Sequence, residues 1–244
     1  MIPSAADIVK QLSHQHGFIA CGIAHAEPLV DEQSHLEYYL SKGFHADMTY
    51  LEHNIERRLN PLLLLENAQS VIVVLYPQPT AQHLPDVPKI ARFASGENYH
   101  HVIKTKLNNV INSLAEYYPA MQSKLFVDTG AIMEKTWAIR AGLGWRGKNS
   151  LLIHPEYGSF VNIGIILTDL VLPPDIPLAE RCGACTHCLC ACPNKAIPQP
   201  YYLNAHRCIA YQTICKHLDP TVELHGWGHG CDLCQEVCPW NNLN

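Results

Sequence analysis

Seven cysteines near the end of the chain form two runs, and each run finishes in Cys-Pro. The first run is Cys182, Cys185, Cys188 and Cys192, followed by Pro193, with the spacing C-x2-C-x2-C-x3-C-P. In this pattern three closely spaced thiolates bind three corners of one 4Fe-4S cubane, and the fourth reaches a second cubane. The run therefore predicts a redox protein that carries two iron–sulfur clusters.

The second run is shorter and lacks the cysteine that is expected upstream of it. It consists of Cys231, Cys234 and Cys238. Cys208 can supply the missing ligand from a loop, and Cys215 is the alternative. Because two-cluster ferredoxins exchange the fourth ligand between their clusters, we predict two mixed sets. These are Cys182, Cys185, Cys188 and Cys238 for cluster one, and Cys192, Cys208, Cys231 and Cys234 for cluster two.

Zinc is the alternative metal, because CxxC pairs also suit structural zinc sites. Two runs that both end in Cys-Pro exceed what a zinc ribbon needs, and the spacing favours cubanes.

The chain has 11 cysteines, and it does not begin with a basic segment followed by an apolar one. These features favour a reducing, cytoplasmic location. No apolar run approaches the roughly 18–20 residues that span a bilayer, so we expect no membrane association.

Asp128 is the candidate acid outside the cysteine runs. It follows a short predicted strand and precedes Thr129, Gly130 and a predicted helix. A carboxylate at a strand end suits catalysis, but a helix N-cap is an equally simple role for it. The glycine-rich segment 142–149 could approach a cofactor closely or form a plain turn. His100 and its neighbour His101 are interpreted as surface or structural residues.

The elements that would position these groups alternate between helix and strand. Hydrophobic periodicity predicts helices over 5–16, 36–42, 47–58, 99–118 and 132–141, and strands over 17–24, 71–75, 124–127, 151–153 and 160–168. This mixture predicts an α+β fold with a central sheet over residues 1–175. The proline-rich segment 171–179 indicates a boundary, so residues 176–244 form a second, cysteine-rich domain.

Composition limits the possible functions. The chain has 244 residues, of which 48% are hydrophobic and 16% are charged, as in ordinary globular proteins. Its formal net charge is -5. A broad basic surface is therefore excluded, and any contact with nucleic acid must depend on a local patch of Lys and Arg.

Taken together, several segments resemble the epoxyqueuosine reductase family of cobalamin-dependent iron–sulfur enzymes. They are residues 48–73, 91–107 and 127–153, and the two cysteine runs with Arg207-Cys208-Ile209 between them. The resemblance implies a nitroreductase-like cobalamin-binding domain followed by a ferredoxin-like module with two 4Fe-4S clusters. It also implies a monomer that holds base-off cobalamin. The implied reaction reduces epoxyqueuosine to queuosine at the wobble position of tRNA, with electrons from an external low-potential donor.

The resemblance also implies roles for individual residues. Asp128 matches the proposed proton donor of the family, which protonates the departing oxygen, and it also lines the corrinoid pocket. The other matches to that pocket are Arg58, Leu152 and Ile163, with Ala91 and Ala210 as weaker matches.

The chain departs from the family pattern in three places. It ends five residues after Pro239, so it resembles a short form without the C-terminal extension that usually helps to hold tRNA. Phe93 and Asn98 stand where Tyr and Asp are common in the family.

Two other functions stay open at this point. One is corrinoid-dependent reduction of a small molecule, as in reductive dehalogenases, and the other is ferredoxin-type electron transfer without a corrinoid.

Overall fold

The computed structural model describes residues 3–80, 84–215 and 219–242. The α-helices in these ranges are α1 (Ala5–Gln15), α2 (Val30–Ser41), α3 (Ile55–Leu59), α4 (Tyr99–Tyr117), α5 (Glu134–Arg140), α6 (His187–Ala191), α7 (Ile209–Ile214) and α8 (Leu233–Glu236). The strands are β1 (Ala20–His25), β2 (Ser70–Pro77), β3 (Lys89–Ile90), β4 (Ser123–Phe126), β5 (Trp145–Arg146), β6 (Leu152–Ile153), β7 (Val161–Thr168) and β8 (Trp227–His229). Short 3-10 helices occupy Thr49–Leu51, Pro61–Leu63, Arg92–Ala94, Ala205–Arg207 and Pro239–Asn241.

A four-stranded antiparallel sheet with the order β1-β2-β7-β4 forms the centre of the fold. The two central strands pair along their whole length, from Ser70 opposite Thr168 to Pro77 opposite Val161. The first six residues of β2 are all buried, so both faces of this strand are covered. A continuous apolar run is the expected sequence for such a strand. The α+β fold predicted from the sequence is therefore confirmed.

Helices cover the sheet on both faces. On one face α1 and α4 pack, and α4 contributes a fully buried stripe at helical spacing: Ile103, Leu107, Val110 and Leu114. The other face is covered by α5, whose Trp137 is fully buried against Val73 and Ile165. Because successive strand residues point to opposite faces, neighbouring residues of β2 and β7 contribute to different layers of the core.

Several predicted boundaries are confirmed, and one predicted helix is wrong. Helix α1 begins as expected after Ser4, whose side chain and Asp7 form a reciprocal capping box. The single helix predicted over 47–58 is instead a 3-10 turn and the short α3. Asn54 separates them because it adopts a left-handed conformation with φ of 56°, which no regular helix can continue.

The cysteine-rich segment has little regular structure and is tied to the first part of the chain. Strand β8 pairs in parallel with β3. The Tyr211 hydroxyl of α7 donates to the Asp47 carboxylate at 3.1 Å, and the Ala205 N–H donates to the Phe44 carbonyl at 2.8 Å. The division between residues 1–175 and 176–244 stays a prediction.

Within the described ranges, no helix has the length and apolar character that a membrane span requires.

Candidate active site and cluster-binding cysteines

The four cysteines assigned to cluster one lie around a single cavity. Cys182, Cys185, Cys188 and Cys238 all line it. The pKa of the Cys188 thiol is raised to about 11, mainly by burial and also by the thiols of the other three cysteines. Cys238 belongs to the second run, yet it stands with three cysteines of the first. The structure thus brings together the set that the ligand exchange predicts.

The four cysteines assigned to cluster two also lie together. The pKa of the Cys231 thiol is raised to about 12, mainly by burial, and the neighbouring thiols of Cys208 and Cys192 act in the same direction. The pKa of Cys234 is raised by burial and then by its neighbours, foremost Cys208 and Cys231. Cys215 lies at the other end of α7, where its N–H donates to the Tyr211 carbonyl. The geometry favours Cys208 over Cys215.

Main-chain N–H groups point at several of these sulfur atoms. Ala196 N–H donates to Cys192 Sγ at 3.2 Å. The N–H groups that follow Cys208 lower the pKa of its thiol, against the effect of burial. The same holds for the N–H groups that follow Cys238. Such donors stabilise the thiolate, which is the form that binds iron. The donor set therefore fits two cubane clusters.

Asp128 lies just after β4, with 57% of its side chain exposed. Its Oδ2 accepts a hydrogen bond from the Tyr99 hydroxyl at 3.1 Å and lies 2.9 Å from His100 Nε2. Both partners belong to the first turn of α4. The N-cap interpretation of Asp128 is wrong, because α5 begins at Glu134 with Met133 as its N-cap.

Glu134 fixes the backbone at Asp128. Its Oε1 accepts the Asp128 main-chain N–H at 2.5 Å, and Asp128 adopts a left-handed φ of 59°. Burial raises the pKa of Glu134 to about 7, and the charge of Asp128 acts in the same direction. The sequence interpretation missed Glu134 and the role of His100. Both contacts join segments whose approach only the folded chain creates.

Lys135 links the Asp128 region to cluster two. Desolvation lowers the pKa of its ammonium group, and Arg146 adds to this effect. The negative charges of Glu134, Asp128 and Cys234 act in the opposite direction and raise the pKa of Lys135. The ammonium group therefore interacts with both the acidic site and a cysteine of cluster two. The candidate acid and the second set of thiols are therefore electrostatic neighbours of one residue.

Arg58 and Asp128, two of the residues predicted to line a corrinoid pocket, meet around Tyr50. Arg58 Nη2 donates to the Tyr50 carbonyl at 3.0 Å. The pKa of Tyr50 is raised by burial and next by Asp128. Arg58 Nε is buried and has no hydrogen-bond partner within residues 3–80, 84–215 and 219–242. An oxygen of a bound molecule would satisfy this donor, so Arg58 fits the predicted role.

The remaining pocket residues lie in two places. Leu152 and Ile163 belong to the same apolar cluster on the α5 side of the sheet. Ala91 packs instead against Ile209, the neighbour of Ala210, and has no exposed surface. Contact between Ala91 and a cofactor would need the backbone to move. The cofactor contacts of these four residues stay predictions.

A sheet domain with an exposed acid beside two cubane-type cysteine sets defines an iron–sulfur oxidoreductase. Residues 181–241 match the family model of a 4Fe-4S double cluster binding domain, and residues 58–129 match that of epoxyqueuosine reductase QueG, DUF1730. The epoxyqueuosine reductase of Cyclobacterium marinum is 40% identical over 100% of this chain and 81% of its own. That of Cellulophaga algicola is 39% identical over 98% and 80%. The chain belongs to the epoxyqueuosine reductase family.

Solved structures agree with this membership. A crystal structure of a selenomethionine-labelled epoxyqueuosine reductase has a TM-score of 0.90 and 31% identity, covering 96% of this chain and 65% of that one. A second, with an epoxyqueuosine-modified tRNA-Tyr stem loop, has a TM-score of 0.87 and 32% identity, covering 96% and 64%. The chain thus spans about two thirds of these solved chains. A catabolic reductive dehalogenase, 15% identical with a TM-score of 0.61, shares the fold alone.

Replacing Cys208 should remove one cluster, whereas replacing Cys215 should not. In the Cys208→Ala variant we expect the iron content to fall from about eight to about four atoms per chain, because a cubane needs all of its thiolate ligands. The matched variant Cys215→Ala should keep about eight. Anaerobic iron analysis measures both, and iron loss in Cys215→Ala alone would transfer the ligand role to that residue.

Glu134 should make the folded state less stable as the pH rises. Its pKa is raised from 4.5 to about 7, so the folded chain binds more protons than the unfolded chain between these values. The contribution is fully present below pH 4.5 and is lost as the pH rises through about 7. In Glu134→Gln the anaerobic urea midpoint should therefore fall less over this range than in the wild type. Glu116→Gln, on the exposed face of α4, serves as the control. An unchanged pH slope in Glu134→Gln would contradict the assignment.

Proposed function

We propose that this chain reduces epoxyqueuosine to queuosine at the wobble position of tRNA. The observation that carries the proposal is the geometry around Asp128. The exposed carboxylate is held by two side chains of α4, and Lys135 connects it electrostatically with Cys234. Membership of the epoxyqueuosine reductase family supports the same reaction.

The reaction consumes two electrons and two protons and releases the epoxide oxygen as water. Two 4Fe-4S clusters and base-off cobalamin, when bound, supply the reducing power. The cysteines would hold the clusters in the two sets described above. Arg58 would offer its unpaired Nε to the corrinoid, in a pocket that Leu152 and Ile163 also line. Ala91 and Ala210 are assigned to this pocket by resemblance only.

Asp128 would donate a proton to the departing oxygen. Its exposed carboxyl group can reach a substrate, whereas its Oδ2 is held by Tyr99 and His100. Burial and the charge of Asp128 raise the pKa of Tyr99, so its phenol keeps its proton and acts as a fixed donor. His100 Nε2 is placed to return a proton to Oδ2 after each turnover. Glu134 holds the backbone of Asp128 in the conformation that presents the carboxyl group.

The proposed partner is the anticodon stem loop of a tRNA that carries epoxyqueuosine. A solved relative that is 32% identical to this chain contains such a stem loop. The net charge of -5 means that phosphate contacts must come from a local group of cationic side chains. The external electron donor, the monomeric state and the cytoplasmic location stay predictions.

The two other functions have less support. Reduction of a small molecule would follow from likeness to reductive dehalogenases, but that likeness extends to the fold alone. A protein that only transfers electrons and binds no corrinoid would not need the Asp128 carboxylate to be held in place by two side chains. Retention of one cobalamin per chain after anaerobic reconstitution would separate this last function from the proposed one.

Asp128→Asn should abolish turnover and leave cofactor loading intact. The amide keeps the size of the side chain but cannot donate the proton, so we expect the rate to fall at least about 100-fold. The measurement is formation of queuosine in an epoxyqueuosine-containing tRNA stem loop, with iron and cobalamin counted in the same sample. Asp31→Asn, whose side chain is 95% exposed, is the control. An active Asp128→Asn enzyme would remove the proton-donor role.

A further inference from the structure

The loop between β5 and β6 lies against cluster one and not in the acidic site. We propose that Trp145 of β5 and Lys148 of this loop are positioning residues that raise the reduction potential of the cluster held by Cys182, Cys185, Cys188 and Cys238. The inference rests on the proposed function, because it requires that the cubane is bound. It assigns a role to the glycine-rich segment, which sequence alone leaves as either a cofactor loop or a turn.

Lys148 offers three donors to the cluster-one loop. Its Nζ donates to the Gly183 carbonyl at 2.5 Å and to the Cys185 carbonyl at 2.9 Å. Its main-chain N–H lies near the Cys182 thiol and favours the charged form of that sulfur. Lys148 also lines the cavity around which the four cysteines lie. One residue thus places a positive charge and an N–H group beside the same cubane.

Trp145 adds a further donor on the same side. Its ring is 1% exposed and packs in one cluster with Cys182 and Cys238. The indole Nε1 is buried and makes no hydrogen bond of good geometry in the part of the chain that the structure describes. Because Trp145 packs against Cys182, the sulfur of that cysteine is the acceptor that we assign to this N–H. When the cluster is bound, the Cys182 sulfur would carry part of its negative charge and would accept a hydrogen bond from this N–H.

The loop is held rigidly, so these donors are preorganised. A Cβ on Gly144 would stand 2.2 Å from the Ile153 carbonyl oxygen, and one on Gly147 would stand 2.6 Å from Ile153 Cδ1. The backbone of the hairpin therefore approaches itself more closely than any side chain would permit. Trp145 and Lys148 lie within this tight hairpin, so their backbone is held beside the cysteines.

Reduction adds one negative charge to the cubane and its sulfur ligands. N–H donors and an ammonium group stabilise the reduced state more than the oxidised state, so the potential rises. Glu180 acts in the opposite direction, because its carboxylate accepts the Cys182 N–H at 2.5 Å. Its residue is exposed, however, whereas Lys148 is half-buried and Trp145 is buried. Solvent screens the carboxylate more than the two donors, so the donors dominate.

The test compares the reduction potentials of both clusters in the reconstituted holoenzyme. Three variants are titrated anaerobically and followed by electron paramagnetic resonance: Lys148→Met, Lys148→Arg and Trp145→Phe. In Lys148→Met the ratio of reduced to oxidised cluster one at a fixed potential should fall at least about tenfold, equivalent to about 59 mV for one electron. Lys148→Arg should recover most of this loss. Trp145→Phe should shift cluster one in the same direction. Lys104→Met, on α4 across the sheet, should leave both clusters unchanged.

An unshifted cluster-one potential in Lys148→Met with full iron content would overturn the proposal, and so would an equal shift of both clusters. If Lys148→Met loses iron, Trp145→Phe decides the question, because it keeps an aromatic side chain but removes the N–H donor, provided that this variant retains its full iron content. An unchanged potential in that variant would then overturn the proposal. Two intact cubanes without a shift refute this inference alone, whereas the absence of two cubanes in the wild type refutes the proposed function itself.

Discussion

The predicted exchange of Cys192 and Cys238 between the two cysteine runs is the constraint on which the account of this structure depends. In the predicted sets the first run offers three ligands to cluster one, and the second run together with Cys208 offers three to cluster two, so neither cubane is complete until the two runs lie side by side. Helices α6, α7 and α8 are too short to form a core of their own. The segment is instead tied to the rest of the chain by its contacts with β3 and the residues after α2, and the predicted ligand sets would order it further.

The same arrangement determines where the acidic site can lie. Helix α5 packs on the central sheet through Trp137, and it begins with Glu134 and Lys135. Glu134 holds the backbone of Asp128, and the charges of Asp128 and Cys234 both act on the ammonium group of the exposed Lys135. One short helix therefore joins the candidate proton donor to the second set of thiols.

The sequence predicts best what depends on local spacing. The sequence predicts three features of this kind: the cysteine runs, the buried β2 strand and the amphipathic α4. In each of them the spacing or periodicity involves only residues that are close together in the sequence. The contact between Asp128 and His100 joins residues 28 positions apart and depends on how α4 meets the end of β4. Likewise, the break at Asn54 reflects a left-handed backbone that no periodicity reveals. Ala91 fits a family position, yet only the fold shows that packing hides it.

The most direct test is a Mössbauer spectrum of the wild-type chain, purified without oxygen from iron-57 medium, with zinc counted in the same sample. We predict that about eight iron atoms per chain give only the signals of 4Fe-4S cubanes, in two sites of equal area. Stoichiometric zinc, or a single cubane that accounts for all the iron, would contradict the shared ligand sets.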